Sequence, residues 1–197
     1  MSSEHPRDIR RGARSSRWPR ALLLTIAIAA AFMAAGVPSL DAHRRAADVL
    51  RRFAEQAPNR LATPDRGIDE IEEKFESGSG GEAARLRWYV PRGEGDAPGL
   101  VLVHGIHRLA VDEPRLVRFA RALAANGVTV LTPEVRELAD YRIGPRSVET
   151  IGAAAHALRA KVSRKVGVMG MSFAGGLSLL AACDPRFEGD IGMVVAV

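Results

Sequence analysis

Ser172 stands in the run Gly170-Met171-Ser172-Phe173-Ala174-Gly175, between an apolar stretch that reads as a buried strand and small residues that open a helix. A lone hydroxyl at such a junction has two ordinary uses. It can cap the helix by accepting a hydrogen bond from a first-turn amide. Alternatively it is a nucleophile, held on a sharp strained turn so that its oxygen projects above the sheet toward an acyl carbon. That second turn brings strand and helix so close that the positions two before and two after the serine must be small, which Gly170 and Ala174 satisfy, with Gly175 next. A dinucleotide-binding turn needs glycine at three positions that correspond here to Gly170, Ser172 and Gly175. Its middle glycine is missing, and Asp190 precedes the following strand instead of ending it.

Attack on a carbonyl also requires donors for the developing oxyanion. The strand Leu100–Val103 ends in His104-Gly105-Ile106, where the backbone N–H of Ile106 can face that of Phe173 across the serine. Removing one such donor typically lowers turnover ~10²–10³-fold. Together these segments resemble the α/β-hydrolase family. The HG pair follows the third strand, TPEVR at 132–136 takes the place of the family's PDxRG stretch, and GMSFAG is the elbow. The resemblance covers about Ile71 to Val197. It implies a serine hydrolase acting on an ester, thioester or related acyl bond of a small molecule, with Ser172 as nucleophile and Ile106 and Phe173 as oxyanion donors.

The same resemblance gives His104 and Gly105 the task of holding the oxyanion loop, with His104 as the base for Ser172 as the rival reading. His107, beside Arg108, either lines the pocket and meets an anionic group or is part of a solvated loop pair. No metal or organic cofactor is implied. The family's order is serine, then acid, then histidine. No histidine follows Ser172, and Asp184, Glu188 and Asp190 lie at the entry of the last strand, on the wrong side of the sheet to orient a base. The expectation is a truncated hydrolase, lacking the triad acid and histidine and having little activity alone. The competing class is a non-catalytic envelope protein that uses the same half-fold for binding.

The elements that must position these residues alternate in kind. Arg85–Val90 alternates apolar and polar residues and pairs with Ile71–Phe75, itself readable as a strand or a short helix, across a turn at SGSGG, 77–81. Then come strand Leu100–Val103, helix Glu113–Ala125 stopped by Asn126-Gly127, strand Val128–Leu131, helix Ser147–Val162, strand Val166–Met169, helix Phe173–Ala182 and strand Ile191–Val197. The runs VLV, VTVL, VGVM and MVVAV are apolar throughout, as strands covered on both faces must be. The fold class expected is α/β, a mostly parallel sheet with helices on both faces. His156 is expected to be a partly exposed packing residue on its helix.

Charge is uneven along the chain. Residues 1–20 hold six Arg against Glu4 and Asp8, leaving 22 basic and 21 acidic residues after Arg20. The globular part is therefore nearly neutral, which gives no support to the basic face that nucleic acid requires. Ala21–Val37 is seventeen residues without a charge, roughly 25 Å as a helix, at the short end for a membrane span. The flanking charges predict a cytoplasmic N-terminus and an exported domain. Small residues at 34–36 keep a cleaved signal peptide open as the rival, and a buried core helix is a third reading. The expected organisation is a basic leader (1–20), a transmembrane or signal-anchor helix (21–37), an amphipathic helix and linker (38–70) and the α/β domain (71–197). In that second helix Ala42, Ala46, Val49, Leu50 and Phe53 form one stripe, for the membrane surface or for the domain. Cys183, the single cysteine, permits no intrachain disulfide and no cysteine-based metal cluster, and reads as a small core residue near a helix end.

Overall fold

The computed structural model describes residues 18–55, 67–75, 83–93 and 95–197. Most of the basic leader, the linker at 56–66 and the turn at 77–81 lie outside the described residues. The chain divides into two compact units, Met1–Ala42 and His43–Val197. The helix α1 runs Trp18–Phe53 and contains the uncharged segment 21–37. Among the described residues no helix is long and apolar enough to cross a membrane.

In the larger unit six strands form one sheet: β1 Ile68–Phe75, β2 Ala84–Pro91, β3 Gly99–Val103, β4 Thr129–Pro133, β5 Val166–Gly170 and β6 Ile191–Ala196, in the order β1-β2-β4-β3-β5-β6. β1 is a strand, antiparallel to β2 with Ile71 opposite Trp88. β2 is antiparallel to β4, whereas β4, β3, β5 and β6 are parallel neighbours. The sheet is thus mixed: its β4-β3-β5-β6 part is parallel, as expected for most of it, and the hairpin adds the antiparallel β1–β2 and β2–β4 pairs.

The apolar runs of the central strands divide between two faces, as alternation of side chains along a strand requires. Val101, Val103, Leu131 and Val168 meet α4 (Pro145–Val162) and α5 (Phe173–Cys183) through Ile151, Ala155, Leu158, Ala174, Leu177 and Ala181. Leu102 and Val130 face the other way and, with Tyr89, pack on α2 (Pro114–Ala125) through Leu116, Ala120 and Ala124. Each Val, Leu or Ile side chain so buried contributes about 1.5–3 kcal/mol relative to exposure. α2 starts sharply because Pro114 occupies its first turn and the Glu113 carboxylate accepts the Leu116 N–H at 2.8 Å.

The end of α1, from His43, packs in the larger unit. Val49 is buried and Phe53 meets Phe119 edge-on with ring centroids 5.5 Å apart. Leu50, on the expected stripe, is exposed. Asp48 is buried instead, accepting from Arg51 Nε and Arg52 Nε at 2.8 Å each and from Asn126 Nδ2 at 3.1 Å. Asn126 therefore does more than end α2: it ties the helix that enters the unit to the turn before β4. Cys183, expected in the core, is exposed as the last residue of α5.

Candidate active site

β5 delivers the chain to Ser172 and α5 carries it away, so the serine sits at the carboxyl edge of the parallel part of the sheet. Its backbone is at φ 57°, ψ −128°, a region almost confined to glycine and costly for any residue with a side chain. Ser172 occupies the position before the first helical residue, yet its side chain makes no capping hydrogen bond. The capping use is thereby removed, since a helix cap has extended backbone and a bonded side-chain oxygen. What remains is an exposed serine on a strained bend.

The small residues around it are there for contact. A Cβ on Gly170 would lie 2.2 Å from the Ala174 carbonyl oxygen and 2.5 Å from the Gly175 nitrogen. Ala174 is buried against the core, and Gly175 lies against Ala196 of β6. On the other side of the bend, a Cβ on Gly105 would lie 3.6 Å from the Ser172 Cβ and 3.2 Å from the Met171 carbonyl oxygen. The loop after β3 is therefore pressed onto the serine turn, and the Met171 N–H donating to the Val103 carbonyl at 3.1 Å fixes the approach. Among the described residues, neither the Ile106 nor the Phe173 N–H has a hydrogen-bond partner. The Ser172 N–H, in contrast, donates to the Val197 carbonyl at 2.6 Å.

His104 is buried beneath that loop and both ring nitrogens are engaged. The Val135 N–H donates to Nε2 at 3.0 Å, and Nδ1 lies 2.8 Å from the Gly105 carbonyl oxygen. A backbone N–H can only donate, so Nε2 is the acceptor and Nδ1 carries the proton it gives to Gly105. Burial pushes the pKa of His104 down, against the opposing pull of the Gly105 carbonyl and Glu134. This neutral imidazole links the β3 loop to the chain after β4, where Pro133 leads into the short helix α3 (Arg136–Ala139). It has no nitrogen left to serve as base for Ser172.

A second clamp holds the far end of the same loop, where residues Ala110–Asp112 make a single 3-10 turn. Arg85 and Arg87 of β2 reach across to Asp112 at 2.8 and 2.5 Å, and Arg87 also donates to the Val111 carbonyl at 3.1 Å. Burial alone would raise the Asp112 carboxyl; the hydrogen bonds from Arg87 and Arg85 outweigh it and hold it below the usual carboxylate range. In the sequence these arginines were visible only as the polar positions of an alternating strand.

His107 turns its ring back on its own loop, accepting the Leu109 N–H at Nδ1, 3.2 Å. His156 is exposed on α4 and bonds Asp190 at 3.0 Å, at the edge of the sheet where β6 enters. A cavity of about 930 Å³ opens beside the β3 loop. Arg108 and Val135 line it; Ser172, Ile106, His107 and Phe173 do not. Among the described residues no cluster of His, Cys, Asp and Glu could hold a metal ion.

Ser172 is thus an exposed serine on a positive-φ bend, with Gly170 and Gly105 close on either side and two unbonded amides next to Gly105 and to the serine in the chain. Structures that have been solved carry the same architecture. Brefeldin A esterase, a bacterial homologue of human hormone-sensitive lipase, matches with a TM-score of 0.55 and 26% identity, over 79% of this chain and 47% of its own. The fold is that of the α/β-hydrolases, present in part. The esterase Est22 matches with a TM-score of 0.58 at 19% identity, over 83% of this chain and 51% of its own. A dienelactone hydrolase from Anabaena variabilis gives 0.52 at 20% identity, over 66% of this chain and 62% of its own. The chain thus spans about half the length of the first two α/β-hydrolases it matches. No family model and no curated protein matches the sequence.

Proposed function

We propose that the protein is a serine hydrolase acting on an ester, thioester or related acyl bond, with Ser172 as nucleophile and the Ile106 and Phe173 amides as oxyanion donors. The observation that carries this reading is the backbone of Ser172, φ 57°, ψ −128°, beside two amides without partners among the described residues. The likeness to Brefeldin A esterase supports the chemistry as well as the fold. In the reaction Ser172 Oγ attacks the acyl carbon while its proton passes to a base. The carbonyl π pair becomes the oxyanion held by the two amides, and its collapse expels an alkoxide or thiolate that takes up the proton. Water then repeats the sequence on the acyl-serine and releases the acid.

The base is the part these 197 residues do not supply after Ser172, and loss of one triad member typically removes ~10⁴-fold or more of the rate. Added imidazole can take its place. With a fluorophosphonate probe, the 197-residue chain is expected to become labelled at Ser172 at a rate that rises with imidazole concentration, and Ser172→Ala is expected to take no label. Absence of Ser172 label at every imidazole concentration would remove the enzyme and favour the non-catalytic binding protein.

The anchor belongs to the same proposal. Seventeen uncharged residues at 21–37 follow a leader with an excess of four positive charges, and this pattern supports a helix inserted with its N-terminus in the cytoplasm. Alkaline carbonate extraction is expected to leave the protein in the membrane pellet. Release of an intact, uncleaved chain into the supernatant would overturn it.

A further inference from the structure

The cavity beside the β3 loop has a wall that no part of the proposed chemistry uses. Arg108 enters it from the loop, two residues beyond Ile106, Arg136 from α3, and Arg142 and Arg146 from the approach to α4 and its first turn. Three acids share the lining, but each is occupied. Glu134 bonds Arg85 at 3.1 Å, Glu137 accepts from the Ser147 N–H and hydroxyl at 2.8 and 2.5 Å, and Asp140 pairs with Arg142 at 2.9 Å. Arg108 and Arg146 have no carboxylate partner among the described residues. Two arginines without a carboxylate partner, from separate elements, thus line one concave space of about 930 Å³, the size of a small-molecule site. A planar fork of N–H donors matches the paired oxygens of a carboxylate or phosphate, and the bonds it forms with them are charge-assisted.

We propose that this cavity binds an anionic group, carboxylate or phosphate, through Arg108 and Arg146, and that it selects acyl substrates carrying such a group. Anion binding stands on the cavity alone; the selection of substrates rests on Ser172 being the nucleophile. The cavity is coupled to the oxyanion loop through two of its own lining residues. Arg108 is part of that loop, and the Val135 amide bonds His104 beneath it. A ligand held there lies against the structure that carries the Ile106 donor.

The test uses the 197-residue chain, with inorganic phosphate and with succinate, against sodium chloride of equal ionic strength. Either anion is expected to raise the melting temperature, as any ligand of the native state must, and which one does so separates phosphate from carboxylate. Arg108→Gln and Arg146→Gln, both at exposed positions, are each expected to weaken binding by about tenfold or more. Ser172→Ala is expected to bind as tightly as the parent. A shift no larger than that in sodium chloride, or one that survives the double arginine variant, overturns the site whatever Ser172 does. For selection, a fluorophosphonate ending in a carboxylate is expected to label Ser172 at least about tenfold faster than its methyl ester. Equal rates, with anion binding intact, would leave the site but refute its role in choosing substrate.

Discussion

Gly170→Ala is expected to yield little or no folded protein, while Gly176→Ala, six residues along, is expected to be neutral or mildly stabilising. The added methyl at 170 would lie 2.2 Å from the Ala174 oxygen, 2.4 Å from its carbonyl carbon and 2.5 Å from the Gly175 nitrogen. All three are backbone atoms of the first turn of α5, so no side-chain rotation relieves the contact. Either β5 or α5 must move by about an ångström, and α5 is held by the buried Ala174, Leu177 and Ala181. Overpacking of a core costs typically about 1–3 kcal/mol when side chains can adjust, and more when they cannot, out of a total stability of about 5–15 kcal/mol. A Cβ on Gly176 meets nothing within 4 Å, and glycine inside a helix is about 0.5–1 kcal/mol worse than alanine. Urea denaturation of the two variants beside the parent checks the pair. A parental midpoint for Gly170→Ala would show that the tight turn is not where Gly170 and Ala174 place it.

That contrast explains why the tight turn is legible in the sequence. A bend that presses β5 onto α5 leaves room for hydrogen or one methyl at 170 and 174, so geometry dictates residue type and the motif is its imprint. The central strands were legible for a similar reason: Val101 and Leu102 must both be apolar because each face of the sheet carries a helix. Partners across the sheet leave no such mark. β2 alternates whichever strand it meets, so its antiparallel contact with β4, and with it the mixed sheet, could not be read. Nor could the long-range polar bonds. Asn126 reads as a helix terminator, and only the fold brings Asp48 within 3.1 Å of it. Cys183 was assigned to the core from its small neighbours, but its helix also turns Leu179 and Leu180 outward. Which side of an apolar helix is buried depends on what packs there, and α5 carries too few polar residues to reveal it.

Among side chains of the candidate site, His104 is expected to matter most for stability, and through contacts that do not touch a substrate. His104→Ala strands the Val135 N–H and the Gly105 carbonyl, now 3.0 and 2.8 Å from the ring, each at about 1–3 kcal/mol, and leaves a cavity besides. A loss of about 3–5 kcal/mol follows. His104→Gln retains one donor and one acceptor, so it is expected to recover a good part of that loss. The pH dependence separates packing from protonation. Because burial lowers the pKa of His104 in the native state, the unfolded chain, near pKa 6.5, takes up the proton first. The stabilisation is therefore complete above about pH 6.5 and lost as pH falls from there toward the native value, by up to ~1.4 kcal/mol per pH unit. The stability difference between the parent and His104→Gln, followed by urea denaturation from pH 8 to pH 5, is expected to shrink over that window. The Ser172 label rate adds a second readout. Since His104 holds the Gly105 carbonyl one residue before the Ile106 amide, His104→Gln is expected to slow labelling even above pH 7, where the ring is neutral. An unchanged rate would mean that the loop keeps the Ile106 amide in place without the imidazole.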